Sequence, residues 1–222
     1  MKNAHQISLL ILCSVLAFGC STPDEQKISV HGDIDNLGQS QLLVTYYQEK
    51  DVITSHSVYS NHSGKFDLKI DSYNEITPVR IYFVNKKCWT TLFARPGDNV
   101  SIKGNIDMVD MLIITGGTVN NDLNRFKKQI RRLYLARLAI LNGKYTNKEE
   151  SAEHLAQINL ILKRIAKEFI KDNPSSVASV VLIQDFFYQD YDTCTKDLLN
   201  LLKGDAKAYY LAKQIREGLL RW

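Results

Sequence analysis

The chain has 222 residues, of which 45% are hydrophobic and 23% are charged, and these fractions are typical of an ordinary globular protein. Its formal net charge of +4 is too small to indicate a role in binding nucleic acid. The roughly 200 residues that follow the N-terminal segment are enough for one large domain or two small ones.

The first 19 residues have the features of a secretory signal peptide. Lys2 precedes an apolar run that extends from Ile7 to Phe18. This run is shorter than the roughly 20 apolar residues that a membrane-spanning helix needs, and polar residues follow it at once. We therefore expect residues 1–19 to be removed from the mature protein.

Cys20, which follows this segment, predicts how the protein is attached to the cell. The preceding Ala17-Phe18-Gly19 resembles the bacterial lipobox, in which the signal is cut just before a cysteine whose thiol is acylated. Acyl chains contribute about 0.8 kcal/mol per buried CH₂, so several chains on one cysteine hold a protein stably at a bilayer. We predict lipidation at Cys20 and a short flexible tether over residues 20–26. Two alternatives are an ordinary secreted protein with an incidental cysteine, and an uncleaved anchor.

From Lys27 to Gly117 the hydrophobic pattern has a period of two. Phe66, Leu68 and Ile70, for example, alternate with charged residues, and turn-forming residues separate such segments. The pattern predicts eight strands, near residues 27–35, 41–48, 52–59, 65–70, 78–84, 88–94, 100–103 and 111–115. Strands at this spacing without intervening helices indicate an antiparallel β-sandwich or a partly open barrel.

After Gly117 the hydrophobic period becomes helical. A first helix is predicted with Asn120, Asn121 or Asp122 as its N-cap, and a second with the capping box Thr146 to Glu149. The apolar stripe of the second helix has coiled-coil spacing, so we expect these two helices to pack antiparallel.

Three shorter helices complete the predicted architecture. A buried one over residues 177–187 would follow Ser175 or Ser176, and two more would lie near residues 195–203 and 205–221. The sequence therefore predicts an α+β chain. A β-rich domain of unknown function occupies residues 27–117, and an α-helical segment of four to five helices occupies residues 118–222.

Three histidines form the best metal hypothesis that the sequence offers. His31, His56 and His62 all fall in the predicted β-rich domain, and His56 and His62 lie either side of one predicted hairpin. The alternative, which we favour, is that they are ordinary strand and turn histidines. We therefore predict no metal site.

Cys88 and Cys194 are the cysteines left to pair once Cys13 leaves with the signal and Cys20 is acylated. The chain has no C-x-x-C motif, in which one thiolate is stabilised and the second resolves a mixed disulfide. Cys194 lies near a predicted helix start, where a thiol can be activated, but a structural role is the simpler interpretation. The aromatic residues of the acidic stretch 185–192 are interpreted as core and its aspartates as solvated.

The first predicted helix is strongly basic. Over residues 119–144 its basic residues are Arg125, Lys127, Lys128, Arg131, Arg132, Arg137 and Lys144, against the single acidic residue Asp122. This helix could face anionic lipid or an acidic partner. The alternative is a solvated face whose charges pair with Glu149, Glu150 and Glu153 of the next helix.

The sequence shows no motif of a major catalytic class. It contains no serine-nucleophile elbow, no phosphate-binding glycine loop and no HExxH. We therefore predict a protein that is not an enzyme, with no catalytic residues and no cofactor.

Four segments, in this order behind a lipobox, resemble the front half of periplasmic thiol:disulfide interchange lipoproteins from Gram-negative gut anaerobes. They are SGKFDL at 63–68, ARPGDNVSIKG at 94–104, GGTVNNDLNRF at 116–126 and FIKDNPSSVAS at 169–179. In that family a β-rich domain of unknown function and a helical segment precede a thioredoxin-like domain of the alkyl hydroperoxide reductase type. The resemblance covers nearly the whole mature chain.

The catalytic residues of that family have no counterpart here. They are a W-C-x-x-C pair in the thioredoxin-like domain, and this chain ends at Trp222, about where that domain would begin. Cys88 and Cys194 match no part of the motif. The resemblance therefore implies either a stand-alone version of the non-catalytic half or a shortened gene.

These observations predict a lipid-anchored envelope protein that serves as a binding or scaffolding module at the outer membrane, facing the periplasm or the cell surface. Its membrane contact would be acylated Cys20, and its partner an envelope protein or a glycan. One alternative is an accessory thiol-redox protein that acts through Cys88 or Cys194 with a separate thioredoxin-like partner. Another is a surface lipoprotein that assists nutrient capture, for which Asp24 and Glu25 give a faint indication.

Overall fold

The computed structural model describes residues 27–49, 52–72, 75–143, 148–188 and 193–218. The predicted signal peptide, the tether with Cys20, and Thr146 of the capping box lie outside these residues. Eight strands come first: β1 (Lys27–Asp35), β2 (Gln41–Glu49), β3 (Val52–Tyr59), β4 (Lys65–Asp71), β5 (Thr77–Phe83), β6 (Cys88–Ala94), β7 (Asn99–Asn105) and β8 (Ile113–Thr115). All eight match the predicted segments to within two residues at each end.

The strands form two four-stranded sheets. The first sheet has the order β4-β1-β7-β8, and the second has the order β3-β2-β5-β6. Alternate residues of the strands of both sheets are buried in one shared core that includes Ile28, Val44, Ile81 and Ile102. The period-two pattern predicts this sandwich because successive side chains of a strand point to opposite faces. The predicted α+β class, with strands followed by helices, is confirmed.

Two details of the β-rich part differ from the prediction. β1 and β7 pair in parallel, and the crossover connection that a parallel pair needs contains β4 and the whole second sheet. The segment predicted as strand 111–115 is only partly extended. A short 3₁₀ segment, Ile106–Met111, occupies the approach to β8 and begins with the Asn105 side chain accepting a hydrogen bond from the Asp107 N–H.

The helical part contains six helices among the described residues: α1 (Thr118–Leu141), α2 (Lys148–Asp172), α3 (Val177–Phe187), α4 (Thr193–Leu201), α5 (Gly204–Ala208) and α6 (Tyr210–Arg216). The last predicted helix, 205–221, is divided because Tyr209 adopts an extended conformation with ψ of 132°. The ring of Phe126, near the start of α1, lies 5.6 Å from that of Phe169, near the end of α2. The two helices therefore pack antiparallel, as predicted.

A second core fills the helical part, and α3 lies at its centre. The first seven residues of α3 are all buried, which agrees with its apolar sequence. Ser176 caps this helix as predicted, since its Oγ accepts a hydrogen bond from the Ala178 N–H at 3.2 Å. Phe93 and Ile76 from the β-rich part pack into the same core. No helix in the described ranges is both long and apolar enough to cross a bilayer.

The helix α1 is attached to an edge strand of each sheet. Asn120 hydrogen bonds to the backbone of Phe93 on β6, and Asn124 hydrogen bonds to the backbone of Ile114 on β8. β6 and β8 are the edge strands of the second and first sheet. The prediction that Asn120, Asn121 or Asp122 caps α1 was wrong: the N-cap is Gly117, which supplies no side-chain hydrogen bond. Asn120 instead joins the helix to the sandwich.

Candidate functional site

The three histidines of the metal hypothesis lie apart in the fold. On β1 of the first sheet, the Nδ1 of His31 lies 2.5 Å from Asp67 Oδ1. On β3 of the second sheet, His56 packs edge-on against Tyr46. The predicted hairpin around His62 does not form, because β3 and β4 belong to different sheets. Within the described residues, no group of three or more His, Cys, Asp or Glu side chains could hold a metal ion.

Cys88 and Cys194 are both unpaired and half-buried, and each packs against a different core. Cys88 begins β6 and contacts the sandwich core. Burial raises the pKa of the Cys88 thiol, and the nearby carboxylates of Asp110 and Asp107 act in the same direction against Lys86. Because the thiolate is the reactive form, this environment disfavours nucleophilic chemistry at Cys88.

The basic residues of α1 divide into two groups. Arg125 pairs with Asp122 at 2.8 Å and hydrogen bonds to Asn173 at 3.0 Å, and its guanidinium lies 5.7 Å from the ring centre of Phe169. These contacts fasten α1 to α2. Lys128, Arg131 and Arg132 are exposed, as is Arg125, whereas Lys127 and Arg137 are half-buried. The expectation of a solvated basic face therefore describes only part of this helix.

A polar cluster joins the middle of α1 to the 3₁₀ segment before β8. Tyr134 donates a hydrogen bond of 2.5 Å to Asp110 Oδ2, and the Lys127 ammonium donates one of 2.9 Å to the Leu112 carbonyl. Desolvation raises the pKa of Asp185 on α3 to about 6, the charge of Asp110 adds to this effect, and Lys127 opposes it. The sequence pattern does not predict this cluster, since its members come from three separate segments.

A cleft of about 250 Å³ lies where the helices meet the loop after β6. Its lining includes Arg95, Asp122, Ser176 and Asp205. These groups hydrogen bond or pair with one another: Arg95 lies 3.4 Å from Asp205, and Ser176 donates to Asp122 at 2.5 Å. The Arg95–Asp205 pair joins the loop after β6 to α5, whereas the Ser176–Asp122 hydrogen bond joins the start of α3 to α1, so these polar groups hold together the elements around the cleft.

The outer surface of the second sheet has a different chemistry. The strand register places Leu43 on β2, Tyr82 on β5 and Trp89 on β6 side by side in one row. Leu43 is 42% exposed and Trp89 57% exposed, and on β3 Ile53 is 60% and Tyr59 63% exposed. We call this surface the aromatic face. Its outward residues include Gln41, Leu43, Thr45, Ile53, Ser55, Ser57, Tyr59, Arg80, Tyr82, Trp89 and Thr91, whereas Phe93, at the next outward position of β6, is buried against the helices.

The outer surface of the first sheet is mostly charged, although both sheets belong to one sandwich. Its charged outward residues are Lys27, Asp33, Asp35, Lys65, Asp67, Lys69, Asp71 and Lys103. Several form cross-strand pairs, such as Lys65 with Asp33 at 3.7 Å. On the aromatic face, Arg80 is the only charged residue among the described outward positions. Exposed apolar patches of this kind are typical of interaction surfaces.

The sequence did contain a signal for the aromatic face. In β4 charged residues occupy every outward position, whereas the outward residues Leu43 and Thr45 of β2 and Trp89 and Thr91 of β6 carry no charge. A strand whose solvent-facing positions are uncharged and partly aromatic departs from the usual alternation of an antiparallel sandwich. Recognising the face, however, requires the order of the strands.

Comparison with models of known protein families finds no match to this sequence. A comparison with curated proteins likewise finds no match.

Proposed function

We propose that this protein is a non-catalytic binding module, held at the bacterial outer membrane by acylated Cys20, with the aromatic face as its binding surface. One observation carries the proposal: Leu43 and Trp89 are exposed on either side of the half-buried Tyr82 in one row of the second sheet, whereas the outer surface of the first sheet is mostly charged. Large exposed apolar side chains have a cost in water, which a bound partner removes.

The membrane anchor is supported by the N-terminal sequence. A short apolar run ends at a cysteine in a lipobox-like setting, and a polar stretch with Pro23 follows it. The resemblance to the front half of thiol:disulfide interchange lipoproteins agrees with an envelope location. In this arrangement the tether would let the sandwich move relative to the bilayer, so that the aromatic face can reach a partner in the envelope.

The anchor is tested by metabolic labelling of the full chain, expressed in a Gram-negative host, with an alkyne analogue of palmitate. We expect the wild-type chain to be labelled and to sediment with membranes. Cys20→Ala should lose both properties, and the control Cys88→Ala should keep both. Equal labelling of Cys20→Ala and the wild type would refute the anchor.

The binding surface is tested by hydroxyl-radical labelling of the chain in isolated cell envelopes and after purification. If the aromatic face is occupied in the envelope, Trp89 and Tyr59 should be oxidised more slowly there than in the purified protein. Tyr210 on α6, which is also exposed, serves as the internal control. Unchanged oxidation of Trp89 relative to Tyr210 would contradict a binding role for this face.

The environment of Cys88 makes the thiol-redox alternative the weaker proposal. A relay cysteine works through its thiolate, whereas burial and two nearby carboxylates raise the pKa of this thiol. Cys194 packs against the helical core, whereas Cys88 packs against the sandwich core. The binding role therefore has the stronger support.

A further inference from the structure

We infer that the ligand of the aromatic face is an uncharged oligosaccharide, bound along the row Leu43, Tyr82 and Trp89. This inference rests on the proposed binding function and names its ligand class. Three properties of the face indicate this class of ligand: the chemistry of its side chains, its charge and its area.

The side chains of the face match the two kinds of surface that a sugar presents. A pyranose ring has a flat face of C–H groups and a rim of hydroxyl groups. Tyr82 and Trp89 lie opposite each other in the register. Trp89 is 57% exposed and Tyr82 is half-buried, so the Trp89 ring offers the larger apolar surface for a C–H face. The neighbouring row contains the hydroxyl groups of Thr45, Ser55 and Thr91. A hydroxyl side chain both donates and accepts, and it can therefore pair with sugar hydroxyls in either sense.

The charge of the face selects for an uncharged ligand. Arg80 is the single charged side chain among its described outward positions, whereas recognition of a polyanion requires several cations. The exposed cations Lys128, Arg131 and Arg132 lie on α1 and not on this sheet. A phosphorylated or carboxylated glycan would therefore find few partners on the aromatic face.

The area of the face is too small for a stable protein interface. Four strands about 4.8 Å apart, with about six paired residues along each, cover roughly 14 by 20 Å, or about 300 Å². A stable protein–protein interface buries about 800 Å² on each partner. A chain of a few sugar units can be covered by this surface, whereas a second copy of the protein would need contacts well beyond it.

The inference is tested with purified lipidated protein in a detergent that carries no sugar headgroup. Trp222→Phe is used as the background, because the chain has two tryptophans and Trp89 then gives the whole indole signal. Cellohexaose, xylohexaose and maltohexaose are titrated, and binding is followed by Trp89 fluorescence and by calorimetry. At least one of them should shift the emission and bind saturably.

Variants then locate the site. Trp89→Ala and, separately, Leu43→Lys should each weaken binding at least tenfold by calorimetry. Leu160→Ala should leave it unchanged, since Leu160 is 68% exposed on α2 and is equally apolar. The thermal unfolding of each variant shows whether it is folded, and two independent substitutions on the face keep the test valid if one of them does not fold.

Three outcomes would overturn the inference. The first is that no hexasaccharide binds to the folded protein. The second is binding that neither Trp89→Ala nor Leu43→Lys weakens. The third is concentration-dependent dimerisation in sedimentation experiments that Leu43→Lys abolishes, which would make a second copy the occupant. If the sugars do not bind but Trp89 is still protected in envelopes, the binding function stands and only the glycan assignment fails.

Discussion

Asn120 on α1 pairs with Phe93 on β6 as a residue of a neighbouring strand would. The Phe93 N–H donates to Asn120 Oδ1 at 3.0 Å, and Asn120 Nδ2 donates to the Phe93 carbonyl at 2.7 Å. The same Nδ2 group donates to the Gly116 carbonyl at 2.6 Å, and Asn120 is only 1% exposed. The side chain thus satisfies backbone groups of an edge strand that would otherwise lack partners at a buried position.

Asn120→Ala should therefore destabilise the protein strongly. The substitution leaves the buried N–H and C=O of Phe93 without this partner, and each unsatisfied group costs about 1–3 kcal/mol. We expect the free energy of unfolding, measured with urea, to fall by about 3 kcal/mol. The exposed neighbour Asn121 is the control, and Asn121→Ala should change the free energy of unfolding by less than about 0.5 kcal/mol. Equal midpoints for the two variants would contradict the assigned role of Asn120.

Gly32 and Phe66 give a second prediction. They lie opposite each other on β1 and β4, and a Cβ added at Gly32 would overlap the ring of Phe66. Because the ring is buried in the sandwich core, it cannot move away without disturbing its neighbours. Gly32→Ala should therefore cost about 1–3 kcal/mol of stability through overpacking.

The test of this steric explanation is a double-mutant cycle with Phe66→Leu, measured by urea unfolding. Replacing the ring with a smaller side chain makes room for the new methyl group, so Gly32→Ala should cost less in the Phe66→Leu background. Strictly additive effects would show that the ring is not what excludes a side chain at position 32.

The accuracy of sequence-based prediction differs between local and long-range features of this fold. The strands around Phe66 and the cap at Ser176 were predicted because alternation and capping depend on residues a few positions apart. The pairing of Asn120 with Phe93 joins residues 27 positions apart, and an asparagine near a helix start is more simply interpreted as a cap. The row of Leu43 with Trp89 was likewise hidden, since it depends on β5 lying between β2 and β6.

The reactivity of Cys88 discriminates between the binding proposal and the thiol-redox alternative. Burial together with Asp110 and Asp107 raises the pKa of this thiol, so it should ionise above the ordinary value of about 8.5. The measurement is the rate of reaction with a chromogenic disulfide between pH 6 and 10, in a Cys194→Ser chain.

Two variants test the cause of this shift. Asp110→Asn removes a negative charge and should lower the pKa of the Cys88 thiol, whereas removing the opposing cation with Lys86→Gln should raise it. A Cys88 thiol that ionises well below 7 would instead support the redox alternative.

Asp185 should make stability depend on pH in the direction opposite to that of an ion-paired carboxylate. Its pKa is about 6 in the folded protein, against an ordinary value near 3.8, because the surrounding protein desolvates the carboxylate and Asp110 repels it. Between pH 4 and 6 the folded chain therefore holds a proton that the unfolded chain has released. The contribution of Asp185 to the free energy of unfolding falls as the pH rises through this window, and the whole penalty is present above pH 6.

Asp185→Asn should remove this penalty, so that the variant is more stable than the wild type at pH 8 and the difference disappears near pH 4. Because the residue is also reached by solvent, screening reduces the effect, and we expect about 1 kcal/mol at pH 8. Asp172→Asn, at the exposed end of α2, controls for the loss of one negative charge from the chain. The measurement is urea unfolding of all three proteins at several pH values. The predicted slope arises only if Asp185 is protonated in the folded state and ionised in the unfolded state. If the stability difference between Asp185→Asn and the wild type stays constant from pH 4 to pH 8, Asp185 does not titrate in this window.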